Sequence, residues 1–230
     1  MNSIIKVIIP AFNEEGSIAQ VIEEIPEIVS EVIVVSNNST DQTESTARGK
    51  GATVLKEERM GYGYACLKGL EYVSKSDDKT DIIVFLDGDY SDYPAELTNI
   101  VSPIIYQDVD LVIGARSKKF REPGSMTIPQ IFGNWLATTL MRLFFGAKFT
   151  DLGPFRAIKY DKLLNLNMQD KTYGWTVEMQ LKAIKKRYSY LEVPVHYKKR
   201  IGVSKVSGTI KGAIFAGVKI LSWIFKYSFA

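Results

Sequence analysis

Two aspartates flank a single glycine in Asp87-Gly88-Asp89, directly after the apolar run Ile82-Ile83-Val84-Phe85-Leu86. Carboxylates one residue apart on a tight turn sit close together, and the glycine between them allows the backbone to bend. Such a pair of hard oxygen donors suits Mg²⁺ or Mn²⁺, ions that bridge protein carboxylates to substrate phosphates. An Asp-Gly-Asp turn taken alone is a common solvated loop. Its position at the carboxyl end of an apolar strand is what favours chemistry, because ligands of open parallel α/β sheets bind outside those strand ends. The other strand ends carry Pro10-Ala11-Phe12-Asn13-Glu14-Glu15, Ser36-Asn37-Asn38-Ser39-Thr40-Asp41 and Gly114-Ala115-Arg116. All would converge with the aspartates on one rim.

The elements that must position these segments alternate along the first half of the chain. Strand-like apolar runs at 4–9, 32–35, 52–55, 82–86 and 111–113 are separated by helical patterns, the signature of βαβ units and a mostly parallel sheet. Ile18, Val21, Ile22 and Ile25 recur at helical spacing ahead of Pro26, and Leu97, Ile100, Val101 and Ile104 do the same. A short helix is predicted from about Asp41 to Gly49, capped by Ser39 or Thr40, and another over 65–73. The second half is less regular, with helices predicted over 131–145 and 177–187. Over 190–197, Leu191, Val193 and Val195 alternate with Glu192, Pro194 and His196, which reads as an edge strand because Pro194 cannot donate to a ladder.

A chain of 230 residues with 46% hydrophobic content can bury one full core. The expected division is a domain over 1–207 and a C-terminal helical segment over 208–230. A net charge of +3, from 29 basic and 26 acidic residues, is too small to argue for nucleic acid. The single cysteine, Cys66, excludes an internal disulfide and a cysteine-based zinc site and suits a reducing, cytoplasmic compartment. The apolar run at 4–9 follows too closely on Met1 for a secretory leader and reads as a strand. Near the end, 214–229 is interrupted by Lys219 and Lys226 and falls short of the roughly 20 apolar residues of a membrane span. Lys211, Lys219 and Lys226 share one side of a helix, and Ile214, Val218, Leu221, Trp223, Ile224 and Phe225 cover much of the rest. This predicts an amphipathic helix lying on the cytosolic face of a membrane, assisted by the helix over 131–145. The alternatives are a helix packed on the protein's own core or one docking a separate membrane subunit.

In their order and spacing, Pro10-Ala11-Phe12-Asn13-Glu14, Asn37-Asn38-Ser39-Thr40-Asp41, Asp87-Gly88-Asp89 and Gly114-Ala115-Arg116 resemble the motifs of family 2 glycosyltransferases with a GT-A fold. Four later runs extend the resemblance: Thr150-Asp151-Leu152-Gly153-Pro154-Phe155-Arg156, Tyr173-Gly174-Trp175-Thr176-Val177-Glu178-Met179, Glu192-Val193-Pro194-Val195 and Arg200-Ile201-Gly202-Val203-Ser204-Lys205. They are similar to the polyprenyl-phosphate branch, which includes dolichyl-phosphate mannose synthases. The similarity covers about 4–211 and implies a Rossmann-like GT-A fold and a metal-dependent, inverting hexosyltransferase. Such an enzyme moves a hexose from a UDP- or GDP-sugar to a polyprenyl or dolichyl phosphate. It further implies that Pro10, Ala11, Phe12, Asn13, Glu14, Ser36, Asn38, Asp87 and Asp89 hold the donor, with Asp87 and Asp89 on Mg²⁺ or Mn²⁺. Arg116, Arg156, Arg200, Ser204 and Lys205 would line the acceptor and diphosphate side, with Asp89, Arg116, Arg156 and Lys205 acting in catalysis. The family usually carries an aspartate where Ser36 stands.

Physical chemistry makes these roles coherent. Breaking the bond between sugar C1 and the diphosphate builds negative charge on the leaving group, which fixed cations and a metal stabilise. A phosphate monoester, with a second pKa of about 6, is largely ionised near neutrality and needs positioning rather than a base. A hydroxyl acceptor, on a glycan or small molecule, would require a base, for which Asp151 or Asp92 are the candidates. Bland readings compete at each site: Arg116 and Arg156 as structural ion pairs, the lysines of 198–205 as a solvated face, His196 as an ordinary strand residue. Gly61-Tyr62-Gly63-Tyr64-Ala65-Cys66 follows the wrong strand and ends wrongly for a dinucleotide fingerprint, and reads as a donor-side segment or a helix-entry loop. No P-loop run is present. A sugar nucleotidyltransferase would want a basic, glycine-rich loop where Asn13-Glu14-Glu15 stands, and a non-catalytic binding module is the rival from another class.

Overall fold

The computed structural model describes residues 3–77, 79–202 and 210–228. Strands β1 (Ile5–Ala11), β2 (Glu31–Ser36), β3 (Thr53–Lys56) and β4 (Ile82–Phe85) alternate with helices α1 (Ile18–Glu23), α2 (Thr43–Gly49) and α3 (Tyr62–Lys75). After β4 come α4 (Leu97–Gln107), β5 (Leu111–Ala115), α5 (Ile128–Phe145), β6 (Arg156–Lys159), α6 (Tyr160–Leu166), α7 (Trp175–Lys185), β7 (Tyr190–Pro194) and α8 (Ile210–Ser228). The strands form one sheet in the order β3-β2-β1-β4-β6-β5-β7. Every adjacent pair is parallel except the two made by β6, which runs antiparallel between β4 and β5. The sheet is therefore the mostly parallel one expected, and β7 is its edge, where Pro194 costs no ladder bond on the open side.

Strand alternation divides the core into two layers. Val7 and Ile9 point to the side covered by α1, α2 and α4, where Ile18, Val21, Ala47, Leu97, Ile100 and Val101 meet them. Ile8, Ile33 and Phe85 point to the other side, against Ala65, Met141, Trp175, Met179 and Ile224 from α3, α5, α7 and α8. Burial on both faces is why these strands are near-continuous apolar runs.

Local details depart from the sequence reading. β6 and α6 had no signal of their own, since Arg156-Ala157-Ile158-Lys159 is too short to show a period. Neither Ser39 nor Thr40 caps α2: its first turn begins after Gln42, and the Asp41 carboxylate accepts from Thr43 N at 3.0 Å. After β4, Gly88 lies in the turn as expected but without a positive φ; the residue in left-handed conformation is Tyr90, at φ 60°. Helix α8 differs in orientation from the simple amphipathic expectation. Trp223 and Ile224 are buried in the core and Lys219 turns inward to the buried Asp170, while Ile214, Val218 and Phe225 face outward. The Lys211 side chain lies outside the described residues.

Candidate active site

At the carboxyl ends of β1, β2, β4 and β5 lies a cleft of about 660 Å³. Pro10, Ala11, Phe12, Glu14, Asp87, Asp89, Arg116 and Arg200, all singled out from the sequence, line it together with Asn37, Met60, Gly61 and Tyr62. Residues from the start of α5, the 170–176 loop, Tyr197 and Lys199 complete the wall.

The acidic pair is held from both sides. Asp89 Oδ1 accepts from Ser91 N at 2.9 Å, and Asp87 Oδ1 accepts from the Tyr62 hydroxyl at 3.0 Å. Burial, reinforced by the neighbouring Asp89, raises the Asp87 carboxyl to about 7, with the Tyr62 hydrogen bond and Arg200 opposing the shift. Arg200 is delivered by the segment after β7, which pairs with the loop after β4: Lys198 N donates to Ser91 O at 2.8 Å and Ile201 N to Asp89 O at 3.0 Å. Its guanidinium then spans two carboxylates, with Nη2 2.7 Å from Glu14 Oε1 and Nη1 3.1 Å from Asp89 Oδ2.

Arg116 lies on the same wall but is committed to a partner. Its Nε and Nη2 donate to the two oxygens of Asp151 at 2.8 and 2.7 Å, and its guanidinium lies 5.1 Å from the Tyr197 ring centre. Burial alone would push the Asp151 carboxyl up, but the adjacent Arg116 overrides it and holds the group below the usual carboxylate range. Asp92, the other candidate base, is 1% exposed and neither of its oxygens has a hydrogen-bond partner. Burial, with Asp87 nearby, drives its carboxyl well above the usual carboxylate range.

Four sequence-predicted residues do not reach the cleft. Arg156 is fully buried in β6, where Nε donates to Gly153 O at 3.0 Å, Nη1 to Thr176 O at 2.9 Å, and Nη2 to Leu152 O at 3.2 Å and to Gly153 O. Its bonds go to main-chain carbonyls, and its side chain is not among those that line the cleft where a phosphate contact was expected. Asn13 Oδ1 accepts from Thr40 N at 2.8 Å, and in return Asn13 N donates to Ser39 Oγ at 3.1 Å and Glu15 N to Asp41 Oδ2 at 3.1 Å. The two motifs after β1 and β2 thus bond to each other, and Asn13 is a splice between loops. Ser36 is buried with its hydroxyl unpartnered, and Asn38 points outward beside Met60. The neighbouring Asn37 takes the wall position, its side chain bonded to Glu57 O, Arg59 O and Gly61 N. Ser204 and Lys205 lie outside the described residues. Tyr62 and Lys199 were not named as site residues, although the Gly61-Tyr62-Gly63 run was noted as a donor-side or helix-entry segment; it enters α3 and lines the cleft.

Among the described residues no group of three or more His, Cys, Asp and Glu side chains is gathered to hold a metal by itself. The carboxylates present still fit a hard divalent ion. Asp87 and Asp89 line one cleft, and Asp89 already faces a positive charge, so substrate phosphates and water would complete the shell.

The family model described as glycosyl transferase family 2 matches residues 6–166. An uncharacterized glycosyltransferase of Mycobacterium tuberculosis is 32% identical over 215 residues, 92% of this chain and 94% of that protein. A dolichyl-phosphate hexose transferase of Haloferax volcanii is 30% identical over 213 residues, 90% and 88% of the two chains. Among solved structures, glucosyl-3-phosphoglycerate synthase of Mycobacterium tuberculosis, in complex with Mn²⁺, UDP and glucosyl-3-phosphoglycerate, superposes with a TM-score of 0.75 at 22% identity. The superposition covers 98% of this chain and 80% of that one, a likeness of fold.

Proposed function

Because this chain belongs to glycosyl transferase family 2, we propose that it is a hexosyltransferase passing the sugar of a nucleoside-diphosphate hexose to a polyprenyl phosphate. The observation that carries the reading is the meeting, in one cleft, of the Asp87 and Asp89 carboxylates with Arg116, Lys199 and Arg200. Asp87 and Asp89 would hold Mg²⁺ or Mn²⁺, which when bound neutralises charge on the departing diphosphate. Pro10, Phe12 and Met60 supply an apolar wall for the nucleoside, and Arg200 supplies a fixed cation at the carboxylate pair. The choice of acceptor rests on Asp151 and Asp92. Asp151 is locked to Arg116 and Asp92 is buried away from the cleft wall, so neither is free to take a proton from a hydroxyl. An ionised phosphate needs no such base, and its single displacement at C1 inverts the anomeric configuration.

The test is nucleoside diphosphate release from UDP- and GDP-hexoses with Mn²⁺ and a short polyprenyl phosphate in detergent. Release should rise at least about tenfold over the acceptor-free rate, a difference of about 1.4 kcal/mol in barrier, and polyprenol lacking the phosphate should not support it. Equal rates with the alcohol would redirect the assignment to a hydroxyl acceptor. Thermal shifts with each nucleoside diphosphate would name the base, since a ligand at about 100 times its Kd adds about 2.7 kcal/mol to apparent stability.

A lipid acceptor places the reaction at a membrane surface, on its cytosolic face. Among the described residues no helix is long and apolar enough to cross a membrane. Helix α5 starts at the cleft, where Thr127 and Gln130 line it, and exposes Ile128, Phe132 and Trp135; the adjoining α8 exposes Ile214 and Val218. Neighbouring helices with outward apolar and aromatic residues suit the headgroup–acyl boundary. Replacing Ile214 and Val218 together by glutamate should abolish co-sedimentation with anionic vesicles and leave nucleotide binding intact. Unchanged sedimentation would exclude α8 as the membrane face.

A further inference from the structure

Asp170 lies outside every motif that pointed to the cleft, yet its fully buried carboxylate joins the loop ahead of α7 to α8. Oδ1 accepts from Thr172 N at 2.8 Å and Gly174 N at 2.9 Å, closing a tight loop ahead of α7. Oδ2 accepts from Trp223 Nε1 at 2.6 Å and pairs with Lys219 Nζ at 3.2 Å, both on α8. The main chain of the same loop grips the start of α3, with Tyr64 N donating to Lys171 O at 3.1 Å and Gly63 N to Thr172 O at 3.3 Å. The contact is close enough that a Cβ on Gly63 would overlap the Asp170 carbonyl, and one on Gly61 the Lys171 carbonyl. Between those two glycines stands Tyr62, whose hydroxyl bonds Asp87. Bonded contacts therefore run without a break from α8 through Asp170 and its loop to Tyr62 and the acidic pair.

We propose that Asp170 is a positioning residue for the donor site, through which α8 sets the place of Tyr62 and, with it, of Asp87. The proposal rests on the reading of the cleft as a nucleotide-sugar site. A buried carboxylate with four donors has one low-energy arrangement, and the close fit of Gly61 and Gly63 transmits that arrangement instead of absorbing it. Losing the Trp223 bond frees the loop, and the Tyr62 hydroxyl then no longer meets Asp87 at its working distance.

A double-mutant cycle on the full chain tests this, with Mn²⁺–nucleoside diphosphate binding measured by calorimetry for whichever of UDP and GDP the unmodified protein binds. Trp223→Phe keeps the buried ring and removes the N–H; Tyr62→Phe removes the hydroxyl. Each should weaken binding about fivefold, the lower end of typical coupling between sites. The double variant should also be weakened only about fivefold, because once the hydroxyl is gone its placement ceases to matter. Asp170→Asn gives a second cycle that keeps an oxygen for the loop N–H groups but sets an NH₂ against Trp223; the same non-additivity is expected. A double variant weakened by the product of the single effects, about 25-fold, overturns the proposal, as does unaltered binding in Trp223→Phe or Asp170→Asn. Failure of the unmodified protein to bind either nucleotide would instead overturn the reading of the cleft itself.

Discussion

Asp89→Asn is expected to lower kcat by about a hundredfold to a thousandfold, the scale of losing one preorganised charge-stabilising group in an active site. The substitution removes one negative charge at constant volume. Ser91 N can still donate to the remaining side-chain oxygen, so the loop after β4 should keep its shape. What disappears is half of the acidic pair and the partner of Arg200 Nη1. Circular dichroism and melting temperature should stay close to those of the unmodified protein, while nucleoside diphosphate release with Mg²⁺ or Mn²⁺ falls to background. Near-normal release with either ion would remove Asp89 from the chemistry.

Arg156→Met should act on stability and not on the chemical step. The guanidinium satisfies the Leu152, Gly153 and Thr176 carbonyls from a fully buried position, and each buried acceptor left unpaired costs about 1–3 kcal/mol. Part of this is returned, because burial already disfavours the charge and lowers the guanidinium to about 10, so a net loss of about 3 kcal/mol is expected. For a chain of this size that corresponds to a melting temperature lower by roughly 6–12 °C. Arg156→Lys should fall in the same direction, since one ammonium cannot reach three carbonyls in a fork. At a temperature where the variants remain folded, kcat should stay within a few-fold of normal. A large loss of kcat without loss of stability would return Arg156 to the phosphate-binding role that its motif suggested.

Arg156 also shows where sequence reading runs out. Whether the arginine after Phe155 meets a ligand or the interior depends on β6, a four-residue strand inserted antiparallel between β4 and β5. Nothing local in Arg156-Ala157-Ile158-Lys159 announces that insertion. The motifs after β1 and β2 misled differently: Asn13, Ser39 and Asp41 are polar and sit at strand ends, as ligand contacts would, but they bond each other's loops. Pro10, Phe12, Glu14, Asp87 and Asp89 were legible because position after an apolar strand fixes the rim on which they stand. Arg116 was legible as a rim residue and illegible as a partner, since Asp151 lies 35 positions away.

By itself the sequence determined the strand–helix alternation, the mostly parallel sheet, the family and the acidic pair at the end of β4. Each of these is written in short-range periodicity or in residues adjacent to a strand end. Tertiary structure alone decided which charges remain available: Arg116 is taken by Asp151, Arg156 by carbonyls, and Arg200 by Glu14 and Asp89, the first of these 186 positions away in the chain. It also decided that α8 buries Trp223 against Asp170, brings Lys219 Nζ to the same carboxylate and turns Ile214 and Val218 outward. The physical reason is that helical and strand periods fix which residues share a face, whereas the direction that face takes is set by the elements packed against it, which are remote in sequence.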